Sequence, residues 1–152
     1  MPGDKNSILP AHSDCWSADT PFQINLWIPL TDAFDTNSMF ILSMEQTLDL
    51  THRVANQEIH SFDFNEIDIK KEQFVKMRFG EILLFNPAVL HGNVENKTDK
   101  TRVSLNVRLK AMFAPEPGDR NPDRCFGTYY QILRLSESAK FALCYLKTGA
   151  LS

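Results

Sequence analysis

The sequence predicts an all-β sandwich or barrel closed by one C-terminal helix. Two segments, 22–28 and 102–109, alternate apolar and polar residues with period two. Turn-forming residues cut much of the rest into short apolar runs, and convincing helical patterning is confined to the chain's end.

In order along the chain, Phe22, Ile24, Leu26 and Ile28 share one side of the first strand, and Gln23, Asn25 and Trp27 the other. Successive side chains leave a pleated backbone on opposite faces, so this alternation is a strand signature. Pro29 and Thr31-Asp32 close it. Asp35 to Ser38 form a turn leading into a short strand, Met39 to Leu42, after which 45–51 fits neither template. A strand is expected over 57–64 and a helical turn or connection over 66–71. Phe74 to Phe79 and Glu81 to Phe85 flank Gly80 as two strands, or one bent at the glycine. Asn86-Pro87 ends them because proline lacks the amide proton that a ladder needs. In 102–109, Val103, Leu105, Val107 and Leu109 oppose Arg102, Ser104, Asn106 and Arg108. Residues 115–127 read as a surface loop and 128–133 as a last strand. Ser136 is the expected cap of a helix over 137–147, with Phe141, Tyr145 and Leu146 on its packing face and Gly149 at its end.

The 152 residues suffice for a single domain, 1–152, with one site. Sixteen basic and 19 acidic side chains give a net charge of −3, with no cationic cluster, so nucleic acid is not an expected partner. Cys15, Cys125 and Cys144 match no Cys-x-x-Cys pair, and their odd number argues against a disulfide-built secreted domain. No apolar stretch follows the polar first residues, and no run approaches the roughly 18 apolar residues of a membrane span. A soluble, cytoplasmic protein is expected, without membrane partners.

The sharpest chemical signal is His12-Ser13-Asp14. In an extended segment His12 and Asp14 point to one side, so an imidazole nitrogen and a carboxylate oxygen reach one metal. His91, after the Asn86-Pro87 turn, supplies a third donor. Two histidines and one carboxylate suit iron(II) with open positions, whereas structural zinc calls for four ligands, often thiolates, and Cys15 is expected to point away. An inward-facing Arg102 needs an acid beside it because a buried, unpaired guanidinium is costly, and Ser104 shares its strand face. Asn25 is a candidate contact to a bound cosubstrate, while Gln23, Arg108 and Trp16 are candidate contacts to the primary substrate. His52 and His60 lack a ligand-like setting, and no phosphate loop, nucleophile elbow or His-Glu-x-x-His sequence is present.

Taken in order, His12-x-Asp14, His91 and Arg102-x-Ser104 resemble the signature of the iron(II)/2-oxoglutarate-dependent dioxygenases. The resemblance runs from Leu9 to about Leu109 and includes Leu26-Trp27-Ile28-Pro29-Leu30, Asn37-Ser38-Met39, Gly80-Glu81-Ile82-Leu83-Leu84-Phe85 and His91-Gly92-Asn93. It is to the phytanoyl-CoA hydroxylase-like superfamily, and most of all to the 2-oxoglutarate oxygenases of bacterial carbohydrate-biosynthesis clusters. It implies a double-stranded β-helix, a jelly-roll or cupin-like barrel. Its metal would be held by His12, Asp14 and His91, and Arg102 with Ser104 would anchor the distal carboxylate of 2-oxoglutarate, with O2 as the other cosubstrate.

Such proteins carry a substantial segment ahead of the His-x-Asp motif, and here eleven residues precede His12. The expectation is a barrel shortened at its N-terminus, its missing edge covered by the C-terminal element or by a second subunit in a homo-oligomer. Ser43-Met44-Glu45-Gln46 also stands where relatives carry Pro-Gly-Ser-His. Two other readings stand beside the oxygenase: a cupin-like metal-dependent isomerase or epimerase, and a truncated, non-catalytic binding module.

Overall fold

The computed structural model describes residues 1–58, 67–115 and 123–148. Strands β1 (Gln23–Pro29), β2 (Met39–Ile41), β3 (Leu83–Phe85), β4 (His91–Asn93) and β5 (Ser104–Lys110) form two antiparallel sheets. One has the order β3-β1-β5 and the other pairs β2 with β4. Two helices, α1 (Met44–Ala55) and α2 (Glu137–Thr148), complete the regular structure among the described residues. The architecture is a small β-rich domain of two open sheets with two helices.

The alternation in 22–28 and 102–109 does form the two long strands, and their register sets the faces. Asn25 lies opposite Arg108 and Phe85, and Trp27 opposite Asn106 and Leu83. Gln23, Asn25 and Trp27 are buried. The opposite face presents Ile24, Leu84, Leu105, Val107 and Leu109 to solvent, Ile24 at 51 % and Leu84 at 61 % exposure. This sheet therefore turns an apolar face outward, while its inner face mixes Gln23, Asn25 and Arg108 with Trp27, Leu83 and Phe85.

Two apolar clusters hold the sheets. Ala11, Phe40, Leu42, Phe74 and Leu90 pack together with Leu50 and Val54 of α1 beside them, while Trp27, Ala33 and Met39 gather Met77, Leu83 and Phe85. Burying such side chains contributes roughly 1.5–3 kcal/mol each. Leu90, fully buried immediately before His91, fixes the start of β4.

Several elements differ from expectation. α1 occupies the ambiguous stretch, capped by Ser43, whose hydroxyl accepts from Gln46 N while the Gln46 side chain accepts from Ser43 N. The late helix is thus one of two. Residues 74–79 form no continuous strand: Phe74 bridges Phe40 and Met77 bridges Ala33, so the segment crosses from one partner to another. The second run is strand only from Leu83, and Ser104 rather than Arg102 opens β5. No strand forms over 128–133, where Tyr130 makes one bridge to Phe126. Ser136 does cap α2, accepting from Ala139 N. Most of the expected 57–64 strand, part of the 115–127 loop and Gly149 lie outside the described residues.

Candidate metal centre

Three backbone contacts bring the chemistry-bearing segments together. His12 N donates to His91 O at 2.9 Å and His91 N donates to His12 O at 3.0 Å, an isolated antiparallel bridge. Asp14 N and the Ser13 hydroxyl both donate to Pro87 O, at 3.0 and 3.1 Å. Asp14 does not continue an extended segment as expected. It opens a one-turn 3-10 helix, Asp14–Ser17, that Ser13 caps. The carboxylate still converges on the histidines because the Pro87 carbonyl tethers that turn.

His12, Asp14 and His91 each offer one ligand atom, all within 4.8 Å of one another. The Nε2 atoms of His12 and His91 lie 3.6 and 3.8 Å from Asp14 Oδ1. His12 Nδ1 is 2.7 Å from Pro10 O, and His91 Nδ1 is 2.9 Å from Val89 O. A carbonyl only accepts, so Nδ1 carries a proton in each ring and Nε2 is the nitrogen turned toward the centre, free to bind a metal once it is unprotonated. The second carboxylate oxygen, Asp14 Oδ2, accepts from Asn25 Nδ2 at 2.5 Å and lies 3.5 Å from Arg108 Nη2.

Burial opposes charge on all three groups, with unequal outcomes. At Asp14 it is outweighed by the His12 hydrogen bond, His91, Arg108 and Asn25, which hold the carboxyl at about 2. At His12, burial is outweighed by the Asp14 hydrogen bond and the Pro10 carbonyl, so its pKa is raised. At His91 burial prevails and its pKa is lowered.

The other expected residues lie as follows. Gln23 and Asn25 are buried on the inner face of β1, toward Asp14. Arg108 joins them from β5 and pairs with Asp19 at 2.8 Å as well as with Asp14. Trp16 is half-exposed on the short helix after Asp14. Arg102 is half-buried just before β5, its guanidinium 5.5 Å from the Trp27 ring centre. It makes no ion pair among the described residues, and burial alone lowers its pKa. Arg102 lines a polar pocket with Asn37, Ser38 and Asn93. Asn37 Nδ2 and Ser38 Oγ are buried there without a hydrogen-bond partner among the described residues. Ser104 stands opposite Pro29 at the start of β5. Sequence reasoning had not singled out Asp19, Arg124, Tyr130, Asn37 or Ser38. Only Asn37-Ser38 carried a signal, as part of the Asn-Ser-Met run.

The β-rich domain brings two imidazoles and one carboxylate, each oriented by a further partner, into an arrangement that could hold one divalent metal. Residues 1–104 match the phytanoyl-CoA dioxygenase (PhyH) family, and the chain belongs to that family. Family dioxygenases use iron(II) and 2-oxoglutarate. The chain is also 28 % identical over 110 residues to the streptomycin biosynthesis protein StrG of Streptomyces griseus, covering 72 % of this chain and 41 % of that protein. It thus spans less than half of that relative's length. Among the described residues no helix is long and apolar enough to cross a membrane.

Proposed function

We propose that the protein is a non-haem iron(II) dioxygenase that couples oxidative decarboxylation of 2-oxoglutarate to hydroxylation or a related oxidation of a small, sugar-like molecule. The convergence of His12 Nε2, Asp14 Oδ1 and His91 Nε2 carries this reading. The donor set fits iron(II): two neutral nitrogens and one carboxylate oxygen leave coordination positions open, and no thiolate is among them. With 2-oxoglutarate and dioxygen, bound iron supplies the oxidising chemistry, and the chain supplies binding and orientation.

His12 and His91 turn Nε2 toward the centre because their Nδ1 protons are held by Pro10 and Val89. Asp14 offers one oxygen, since Asn25 and Arg108 engage the other. Arg102 is the cation for the distal carboxylate of 2-oxoglutarate, with Ser104 as the expected hydroxyl donor. The Asn37 amide and Ser38 hydroxyl, buried without partners among the described residues, are further donors lining the same pocket, which Asp4 also lines. Trp16, half-exposed beside Asp14, is the candidate wall for the primary substrate.

The two sheets read as facing walls of a double-stranded β-helix. A sugar-like substrate is favoured by the StrG similarity, and a cytoplasmic setting by three cysteines at spacings that suit no disulfide framework. The outer face of β3-β1-β5 completes the proposal as the contact with a second copy of the chain. Its neighbouring side chains, Leu26 between Leu84 and Val107, Ile24 beside Leu109, and Ile28 beside Leu105, form one apolar patch. Contiguous exposed apolar surface of this kind marks an interaction face.

The test is an anaerobic titration of the iron(II)-loaded protein with 2-oxoglutarate, followed by visible absorption. A charge-transfer band saturating at one equivalent is expected. Bound iron without the band overturns the cosubstrate assignment, and failure to retain iron overturns the triad.

A further inference from the structure

Past residue 104, where the family match ends, the chain returns to the metal centre. Tyr130 donates its hydroxyl proton to Gln23 Oε1. Gln23 Nε2 donates to Asn25 Oδ1 at 2.9 Å and to Asp19 Oδ2 at 3.1 Å, and Asn25 Nδ2 donates to Asp14 Oδ2 at 2.5 Å. Arg108 Nε donates to Asp19 Oδ2 at 2.8 Å, and Arg124 Nη1 forms an ion pair with Asp19 Oδ1 at 2.8 Å without hydrogen-bond geometry. Tyr130, Gln23, Asn25, Asp19 and Asp14 are each at most 6 % exposed.

The chain of donors runs one way. An amide has an accepting end and a donating end, so whatever fixes one end fixes the other. The Tyr130 hydroxyl meets the oxygen of Gln23, and Asp19 takes its nitrogen, which turns that nitrogen toward Asn25 Oδ1. Asn25 must then offer its own nitrogen to Asp14. Reversing either amide would set oxygen against oxygen in a buried site. Burial and the neighbouring Asp19 push the Tyr130 phenol up to about 12, so it stays a donor.

We propose that Tyr130, acting through Gln23 and Asn25 with Asp19 locked by Arg108 and Arg124, is a positioning residue for Asp14. It holds Oδ2 so that Oδ1 alone faces the metal. The segment 123–130, outside the family match, is thereby part of the centre. This rests on the reading of the triad as a metal site.

Cobalt(II) binding to the full chain, without 2-oxoglutarate, tests it by visible spectroscopy and titration. Loss of a supporting partner around a metal ligand weakens metal binding by about 10–100-fold. Tyr130→Phe is expected to lie near the lower end of that range, with an altered cobalt spectrum and, because Gln23 Oε1 loses its donor in a buried site, a melting temperature of the metal-free protein lowered by a few degrees. Arg124→Gln, which releases Asp19 from one side, is the second variant should Tyr130→Phe fold poorly, and the same spectral change is expected. A folded variant that binds cobalt within twofold of wild type and gives a superimposable spectrum overturns the relay alone. Wild-type protein that takes up no cobalt overturns the metal reading and the relay with it.

Discussion

His12 and His91 are bonded to each other through their main chains, and their rings lie 4.4 Å apart. The two proposed nitrogen ligands therefore come from one structural unit, although 78 residues separate them (91 − 12 − 1). Gly92 makes that unit possible. A Cβ at this position would meet Leu9 O at 2.6 Å, Pro10 O at 2.8 Å and Phe40 Cζ at 2.8 Å.

Two of those atoms are main-chain oxygens of the segment that carries His12, so relief requires moving the ligand. Gly92→Ala is expected to cost about 1–3 kcal/mol of stability, the range for overpacking a tight interior. It should also weaken metal binding. Urea denaturation and metal titration check both, and an unchanged metal affinity would show that the segment yields without disturbing His12.

Much of this centre was legible because its signals are local. His12-x-Asp14 is short, His91 follows the Asn86-Pro87 stop, and period two in 22–28 and 102–109 put Asn25 and Arg108 on the faces that meet Asp14. α1 was hidden because its inward residues include Thr47 beside Leu50 and Val54, which weakens the apolar period. The Ser43-x-x-Gln46 capping pattern was the available signal. Thr47 is inside because its hydroxyl accepts from Leu90 N, just ahead of His91. Asp19, Arg124 and Tyr130 had no legible signal, since only tertiary contact joins them to Asp14.

Arg102 gives the cleanest separation of cosubstrate from metal. Its guanidinium has no carboxylate partner among the described residues, stacks near Trp27 and belongs to none of the three candidate ligands. Arg102→Ala is expected to weaken 2-oxoglutarate about 10–100-fold, the equivalent of losing a charge-assisted bond of about 1.5–3 kcal/mol, while leaving iron affinity unchanged. Equilibrium titrations of each ligand measure this. Equal 2-oxoglutarate affinity in the variant would remove Arg102 from the site.

The outer sheet face predicts association. Replacing Leu84 and Val107 with lysine puts two charges into the patch without touching the buried face of either strand. Light scattering on the wild-type protein should report a dimer, and on the double variant a monomer with its metal affinity retained. A wild-type monomer at micromolar concentration would mean that something other than a second copy covers this face.

The unequal histidines predict how metal binding depends on pH. His12's raised folded pKa contributes stability below its ordinary value of 6.5, which is lost as pH rises through the folded value. His91's lowered folded pKa does the reverse, contributing above 6.5 and losing that contribution as pH falls. The two oppose each other in the metal-free protein, so proton release on metal binding is the sharper measurement. Asp14, held at about 2, is already ionised near neutral pH, and His91 is already neutral. His12 alone must give up its proton to expose Nε2, so metal uptake at a pH between the two histidine values should release about one proton. Calorimetry in two buffers of different ionisation enthalpy counts it. Affinity should fall as pH drops through the raised His12 value, and release of about two protons, or none, at that pH would overturn the unequal assignment.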